Sequence, residues 1–288
     1  MKLKIASAQY DISFLENWLQ YTQKIENWVK EAHSNGASIL VFPEYGCMEL
    51  ASLFPQEIYS SLSKQLQYLQ DLHSNYVDLY QSLASKYGCY IQAGTFPVMI
   101  GKAEYRNRAY LFWPDGQIDF QDKIMMTRFE NEHWLITAGD ELKCFDTDFG
   151  KIAINVCYDS EFPMLARKQV EMGANLILVP SCTDTLAGYH RVKIGCQARA
   201  LENQCYLIQS PTVGLAPWSQ AVDENCGAAA IYTPVDRGFP DNGVLAIGEF
   251  NATQWVIAEI CLSEIEQVRQ EGQVFNYRDW PLQRRLIN

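Results

Sequence analysis

Apolar residues follow two periods along the chain, one typical of helices and one of strands. Within residues 14–33 they recur every three or four positions, which predicts an amphipathic helix, and further helical regions cover residues 56–86, 163–172 and 191–202. Short apolar runs predict strands at residues 3–9, 38–42, 89–96, 108–113, 142–146, 151–156, 205–209, 228–232, 244–249 and 254–261. Helices and strands in this order are typical of an α/β protein.

One strand pattern occurs twice. The segment GASILVFP at residues 36–43 is echoed by GANLILVP at residues 173–180, and each copy follows a helical segment. The echo arises either by chance or from two related halves, each contributing a sheet with helices on its outer face. No linker rich in Pro, Gly or Ser separates the halves. We therefore expect a single domain over residues 1–288, with a C-terminal tail at about residues 263–288.

Composition narrows the class of protein. The 288 residues are 48% apolar, which excludes a disordered chain. Acidic residues outnumber basic ones by 34 to 23, so the net charge of −11 argues against a nucleic-acid partner. No apolar run approaches the roughly 18 residues of a membrane span, and the N-terminus lacks the apolar run of a signal peptide. We expect no membrane partner and a cytoplasmic location.

Cysteine and histidine spacing bears on metals and disulfides. The nine cysteines form no C-x-x-C pair, and the four histidines are far apart in sequence. An odd number of scattered cysteines is typical of reduced thiols in a cytoplasmic protein. The spacing therefore predicts neither a disulfide framework nor a metal site.

Reactive residues follow three of the predicted segments. Glu44 comes directly after the strand at residues 38–42 and Pro43, Cys157 follows the strand at residues 151–156, and Lys123 ends a polar segment between them. Ligands of α/β proteins gather where strands end in loops. The three side chains are therefore candidates for one catalytic site.

Each of these residues also has a simpler interpretation. Cys157 alone is a small buried apolar residue, Glu44 a helix cap or salt-bridge partner, and Lys123 a surface charge. Together, a thiol, a carboxylate and an ammonium can carry out nucleophilic catalysis. A buried carboxylate has a raised pKa and accepts a proton from a thiol, while an ammonium lowers the pKa of that thiol. The ammonium and the backbone N–H of Tyr158 also stabilise an oxyanion.

The order of these motifs resembles the carbon–nitrogen hydrolase (nitrilase) superfamily. The segments that carry the resemblance are FPE at residues 42–44, DK at 122–123, CYD at 157–159, FP at 162–163 and RALENQ at 199–204. Supporting segments are AQ at residues 8–9, AGD at 138–140 and GAA at 227–229, so the similarity covers about residues 3–262.

The resemblance implies an αββα sandwich of four layers, usually paired in a homodimer or a higher homo-oligomer, with no metal or organic cofactor. It implies a catalytic triad of Glu44, Lys123 and Cys157 and a small amide as substrate. It also implies a second glutamate after the lysine, for which Glu130 and Glu132 are candidates. Counted back from Gly139, Glu132 has the expected offset, so we predict Glu132 in the site. Glu130 would then form an ion pair with Arg128.

Residues near the nucleophile bear on the substrate. The nitrile-cleaving branch typically has Trp-Glu after the cysteine, whereas this chain has Tyr158 and Asp159, as amide hydrolases do. Glu161 stands where those amidases often have an arginine, which favours a neutral or cationic substrate unless Glu161 simply pairs with a basic residue. Further candidates for substrate binding are Tyr45, Ser181, Cys182 and Thr183, although Tyr45 fits core packing equally well.

The sequence thus predicts a cysteine hydrolase that cleaves a small ω-amide or N-carbamoyl compound through a thioester. The alternatives are a nitrile hydrolase of the same superfamily and a catalytically silent member that serves in binding or assembly. A redox role would require a resolving cysteine near Cys157, and neither neighbouring turn supplies one.

Overall fold

Two stacked β-sheets form the centre of the structure, a computed structural model that describes residues 2–102 and 104–286. The described strands, in chain order, are β1 (Lys2–Asp11), β2 (Ile39–Phe42), β3 (Tyr90–Gly101), β4 (Glu104–Phe112), β5 (Ile118–Asp122), β6 (Ile136–Thr137), β7 (Phe145–Thr147), β8 (Gly150–Ile154), β9 (Leu176–Ser181), β10 (Tyr206–Leu215), β11 (Glu224–Asn225), β12 (Ala230–Tyr232), β13 (Val244–Ile247) and β14 (Gln254–Cys261).

Strand pairing defines the two sheets. The first has the order β5-β4-β3-β2-β1-β14, with β6 beside β4, and the second has the order β7-β8-β9-β10-β12-β13, with β11 beside β10. They are joined where the end of β1 pairs in parallel with β10. Each copy of the repeated segment forms a central strand with parallel neighbours on both sides, β2 in one sheet and β9 in the other.

Helices cover the outer faces. They are α1 (Trp18–Ser34), α2 (Gln56–Tyr59), α3 (Leu62–Leu69), α4 (His73–Tyr87), α5 (Pro163–Glu171), α6 (Leu186–Asn203), α7 (Leu262–Glu271) and α8 (Asn276–Asp279). Because side chains alternate along a strand, Val41 of β2 packs in one cluster with Leu178 of β9, between the sheets. Phe42 instead packs with Tyr21 of α1 and Tyr80 of α4. With α5 and α6 on the second sheet, this confirms the four-layer sandwich.

Two segments differ from the sequence-based expectation. The region at residues 56–86, predicted as one long helix, is divided into α2, α3 and α4, with a 3₁₀ turn at Gln70–Leu72. The segment from residue 263, predicted as a tail, begins with α7, whose Ile265 is fully buried in the core between the sheets. None of the helices within residues 2–102 and 104–286 has the length and hydrophobicity that a membrane crossing requires.

A close backbone contact fixes the turn after β2. Gly94 of β3 has a φ of 74°, and a Cβ at this position would collide with the carbonyl oxygen of Pro43. Glycine therefore lets β3 approach the turn that carries Glu44. Thr95 strengthens the contact, since its Oγ1 accepts a hydrogen bond of 2.9 Å from the N–H of Tyr45.

Candidate active site

The three strand-end residues predicted from the sequence line one cavity. Glu44, Lys123 and Cys157 follow β2, β5 and β8 in the chain, and all three line a cavity of about 630 Å³. Tyr45 and Tyr158, each next to one of them, lie on its wall as well. The structure thus brings together residues that are 79 and 34 positions apart (123 − 44 and 157 − 123).

Lys123 lies between two carboxylates. Its Nζ is 2.8 Å from Oε1 of Glu44, and 2.8 and 2.7 Å from Oε1 and Oε2 of Glu130. All three residues are almost completely buried, with 1 to 2% of their surface exposed. A charge removed from water in this way is stable only when it is paired, so the ammonium and the carboxylates depend on one another.

Glu130 therefore occupies the place that we predicted for Glu132, and that prediction is wrong. Glu132 is exposed and forms a bidentate ion pair with Arg128, with two distances of 2.8 Å. Among the residues that the structure describes, Glu130 pairs with Lys123 and not, as we had predicted, with Arg128. The two glutamates lie in a turn of π-helix at Glu130–Trp134. Residues two positions apart in a helical turn point to nearly opposite sides, so only one of them faces the lysine.

Neighbouring side chains hold Glu130 in position. Its Oε2 accepts hydrogen bonds from the N–H and the hydroxyl of Thr127, both at 2.9 Å. Its Oε1 accepts one from the hydroxyl of Tyr45 at 2.7 Å, and the Tyr45 ring packs against Trp134. Tyr45 thus serves both the core and the cavity wall, which were the two alternatives for this residue.

Asn107 of β4 is a member of the site that the motifs did not indicate. Its amide Nδ2 donates to Oε1 of Glu44 at 2.8 Å and to Oε1 of Glu130 at 3.3 Å. Its backbone carbonyl accepts the N–H of Lys123 at 2.9 Å. The only signal in the sequence is a polar residue that alternates with other buried positions of β4, namely Tyr105, Ala109 and Leu111.

Cys157 lies at a sharp turn. Its φ of 49° is unusual for a residue with a side chain, and it begins a 3₁₀ helix at Cys157–Glu161. Asp159 holds the turn, because its carboxylate accepts the N–H groups of Val156, Ile124 and Met125 at 3.0, 3.1 and 2.7 Å. Asp159 therefore ties the nucleophile turn to the chain directly after Lys123.

Burial and charge set the protonation states. Burial raises the pKa of Glu44, against the opposing effect of Lys123. Burial also raises the pKa of the Cys157 thiol well above its usual value, and the charge of Glu44 adds to this effect. Burial alone would lower the pKa of Lys123, but Glu130 and Glu44 hold it well above its usual value. Lys123 is thus charged at neutral pH, and Cys157 is a thiol that needs a base.

The pKa of Glu130 differs from that of Glu44. Burial acts to raise it, yet Lys123, the groups of Thr127 and the hydroxyl of Tyr45 together lower it. Glu130 is therefore the ionised partner of Lys123 at neutral pH, whereas Glu44 is the carboxylate that gains and loses a proton more readily.

The loop after β9 forms another part of the wall. Cys182 and Thr183 line the cavity, as predicted, and the carbonyl of Cys182 accepts the Cys157 thiol at 3.7 Å. Ser181, which we also predicted there, does not line the cavity. It is buried, and its hydroxyl donates to the carbonyl of Ser210. Cys182 thus places a second cysteine in the cavity wall, although neither turn next to Cys157 in the sequence contains one.

Glu161 lies on the cavity wall and faces a basic residue. Its carboxylate is 3.5 Å from the guanidinium of Arg191 in α6, and both residues line the cavity. Both alternatives for Glu161, a wall position and an ion pair, therefore hold. The cavity also contains an arginine, although it comes from a different element than the motif led us to expect.

Comparison with known proteins places this arrangement in a family. Residues 4–270 match the family model described as carbon-nitrogen hydrolase. The chain is 35% identical over 96% of its length to "Probable hydrolase YhcX" of Bacillus subtilis, and this match spans 53% of that relative, about half its length. It is 29% identical to the 2-oxoglutaramate amidase of the same species, covering 96% of this chain and 97% of that one.

Solved structures agree on the fold. The crystal structure of Saccharomyces cerevisiae Nit3, a member of branch 10 of the nitrilase superfamily, superposes with a TM-score of 0.75 at 21% identity and covers 93% of each chain. The predicted fold and family are confirmed. The family model and the amidase relative of matching length also confirm the prediction of a hydrolase that acts on carbon–nitrogen bonds other than peptide bonds. From the match over nearly its whole length, the chain belongs to the carbon–nitrogen hydrolase family.

Proposed function

We propose that the protein is an amidase that cleaves a small carboxamide or N-carbamoyl compound through a thioester on Cys157. The observation that carries the proposal is the position of Lys123 between Glu44 and Glu130, in the same cavity as Cys157. This arrangement supplies a base, a cation for a developing oxyanion and a nucleophile within one cavity.

In the first half of the reaction, Glu44 accepts the thiol proton and the sulfur attacks the carbonyl carbon of the amide. The carbonyl oxygen becomes an oxyanion, which Lys123 and the backbone N–H of Tyr158 stabilise. Protonated Glu44 then donates the proton to the leaving nitrogen. The C–N bond breaks, ammonia or an amine leaves, and the acyl group stays on Cys157 as a thioester.

In the second half, a water molecule replaces the departed amine. Glu44, again ionised, accepts a proton from this water as it attacks the thioester carbon. The oxyanion forms at the same place, and its collapse expels the sulfur of Cys157, which regains its proton from Glu44. A raised pKa suits Glu44 to this exchange, because one carboxyl group must both take and return a proton near neutral pH.

Glu130 acts as a positioning residue in this scheme. Both of its oxygens contact Nζ of Lys123, so the lysine keeps an ion-pair partner when Glu44 becomes protonated. The three side chains then carry one ammonium and one carboxylate, and the negative charge that Glu44 has lost lies on the sulfur or the oxyanion. Glu130 itself is fixed by Thr127 and Tyr45.

The experiment is an ammonia-release screen of the purified protein with ω-amides, N-carbamoyl amines and nitriles of matched chain length. The proposal predicts release from an amide or carbamoyl compound, complete loss in Cys157→Ala, and rapid loss on alkylation. Nitrile turnover with kcat/KM comparable to the matched amide would instead favour the nitrile hydrolase alternative. If no compound in any class is turned over, the catalytically silent alternative is favoured.

A redox role for the two thiols is tested in the same assay. Cys182→Ser keeps the nucleophile and removes the second thiol of the cavity. For an amidase, ammonia release by this variant is expected to be independent of added thiol or oxidant.

The oligomeric state is also a proposal. The family resemblance implies a homodimer, which light scattering of the protein eluting from a size-exclusion column tests.

A further inference from the structure

The wall of the cavity away from the triad is rich in carboxylates. Apart from Glu44, Lys123 and Glu130, the charged residues that line it are Glu161, Asp184, Asp223, Glu224, Arg128 and Arg191. Four carboxylates thus face two guanidinium groups. The cavity contains the nucleophile, so a ligand must enter it whatever the charge of its wall.

Three of the carboxylates come from two loops that are bonded together. Asp184 follows the β9 strand end, and Asp223 and Glu224 precede or begin β11. The loops are held by two hydrogen bonds between Thr183 and Cys226, at 2.8 and 2.9 Å. The Cys182 thiol also donates to the side chain of Asn225 at 3.1 Å. These contacts bring the three carboxylates to one side of the cavity.

Each arginine of the wall already has a carboxylate partner. Arg128 is held by both oxygens of Glu132, and Arg191 faces Glu161. Among the side chains that the structure describes, no lysine or arginine forms an ion pair with Asp184, Asp223 or Glu224. The unbalanced charge of the cavity is therefore negative, and it lies on the joined loops.

We propose that the amide substrate carries a cationic group, such as a primary ammonium or a guanidinium, at the end opposite the scissile bond. This inference rests on the proposed amidase function and adds the class of substrate. The scissile amide would lie at Cys157, and the cation would face Asp184, Asp223 and Glu224. Burial of a carboxylate tail at the same place would be unfavourable, because like charges face each other without a free cation between them.

The test compares three series of amides that differ only in the terminal group. They are ω-amino amides of three to six carbons, alkyl amides with a methyl in place of the ammonium, and monoamides of dicarboxylic acids. At the best chain length we expect kcat/KM for the amino amide to exceed that of the alkyl amide by roughly 10-fold, a modest ratio because the carboxylates are exposed. The ratio should fall as ionic strength rises, since salt screens exposed charges.

Variants locate the recognition. In the triple variant Asp184→Asn/Asp223→Asn/Glu224→Gln, the ratio of amino to alkyl amide is expected to fall close to one. The matched control is Glu266→Gln, which removes an exposed carboxylate from α7, outside the cavity wall, and should keep the ratio. The inference is supported if the amino amide has the higher kcat/KM in the parent and in Glu266→Gln, but not in the triple variant.

Other outcomes separate the inference from the proposed function. Turnover of the alkyl amides or dicarboxylic monoamides at a rate equal to or above the amino amides overturns the cationic substrate and leaves the amidase intact. An unchanged ratio in the triple variant likewise overturns it. Absence of ammonia release from all three series and from the N-carbamoyl amines, without any acyl group on Cys157, overturns the amidase proposal itself.

Discussion

Two lysine–glutamate pairs have their buried glutamates only five positions apart in the chain (49 − 44), and they differ in what surrounds them. Lys123 contacts Glu44 at 2.8 Å, and Lys24 contacts Glu49 at the same distance. Both glutamates are fully buried, and burial raises the pKa of each. Burial and a shifted pKa therefore do not by themselves distinguish an active site from a structural ion pair.

The partners make the distinction. Glu49 is bound by Lys24, by the hydroxyl of Tyr10 and by the N–H of Ser13, while Lys24 also donates to the carbonyl of Asp11. These contacts join β1, α1 and the turn after β2, which is a structural role. Glu44 instead shares its lysine with a second carboxylate and lines the cavity of a thiol. Glu44, the proposed base, is thus the glutamate whose lysine also contacts a second carboxylate.

The largest expected effect comes from removing each glutamate in turn. Glu44→Gln leaves nothing to take the thiol proton, and we expect kcat to fall by roughly 10²- to 10⁴-fold, the scale of a general base. Its stability should change little, because Glu130 still pairs with Lys123. Glu49→Gln removes a buried carboxylate that accepts from Lys24, Tyr10 and Ser13, and should cost about 2 kcal/mol of unfolding free energy. Per folded molecule, its activity should be retained.

Urea unfolding and steady-state kinetics on both variants check this prediction. If Glu49→Gln loses as much kcat as Glu44→Gln while still folded, or if Glu44→Gln keeps its activity, the distinction between the two pairs is wrong.

The second effect separates Glu130 from Glu132. Glu130→Gln weakens the hold on Lys123 and should lower kcat by roughly 10²-fold, the scale of one positioned polar group. Glu132→Gln removes only an exposed ion pair, so we expect little change in stability and an activity within twofold of the parent. Parallel kinetics of the two variants suffice. Equal losses of kcat would show that the turn at Glu130–Trp134 acts as a unit.

A smaller effect is expected at Asn107. The amide of Asn107 favours the ionised form of Glu44, so Asn107→Ala should raise the pKa of Glu44 further above its usual value. Activity needs ionised Glu44, hence kcat/KM falls as pH decreases through this pKa. In the variant that fall should begin roughly one pH unit higher, the equivalent of one hydrogen bond to a charged group.

The control for Asn107 is Asn203→Ala. Asn203 is equally buried, but its amide donates to a helix carbonyl in α6. Its loss should reduce stability without moving the pH profile of kcat/KM. An unmoved profile in Asn107→Ala would reduce that residue to a structural role.

Local patterns explain what could be predicted from the sequence. Glu44 and Cys157 follow apolar runs in the sequence, so both could be predicted to lie just after the carboxyl end of a strand. Ligands of α/β proteins bind at these ends. The α/β class follows from helices alternating with apolar strands, whereas the four layers were predicted only from the family resemblance. The repeated segment left chance and two related halves open, and in the structure each sheet contains one copy, as β2 and β9.

Tertiary contacts explain what could not. Whether Glu130 or Glu132 faces Lys123 depends on the helical phase of one turn, which a count from Gly139 does not contain. In the sequence, Asn107 is only a polar residue near a predicted strand. Its role depends on the fold, in which Glu44 after β2 and Lys123 after β5 come into contact with it. Arg191 reaches the cavity from α6, far in sequence from the motif in which an arginine was expected.

The central claim is that Cys157 carries an acyl group whose formation requires Glu44. The most direct measurement is mass spectrometry of the protein mixed with an amide substrate or a slow ester analogue and quenched in acid. We expect an adduct on the peptide that contains Cys157, none on the other cysteines, and none in Glu44→Gln. An adduct on Cys182 or Cys196, or an active Cys157→Ala enzyme, would contradict the account.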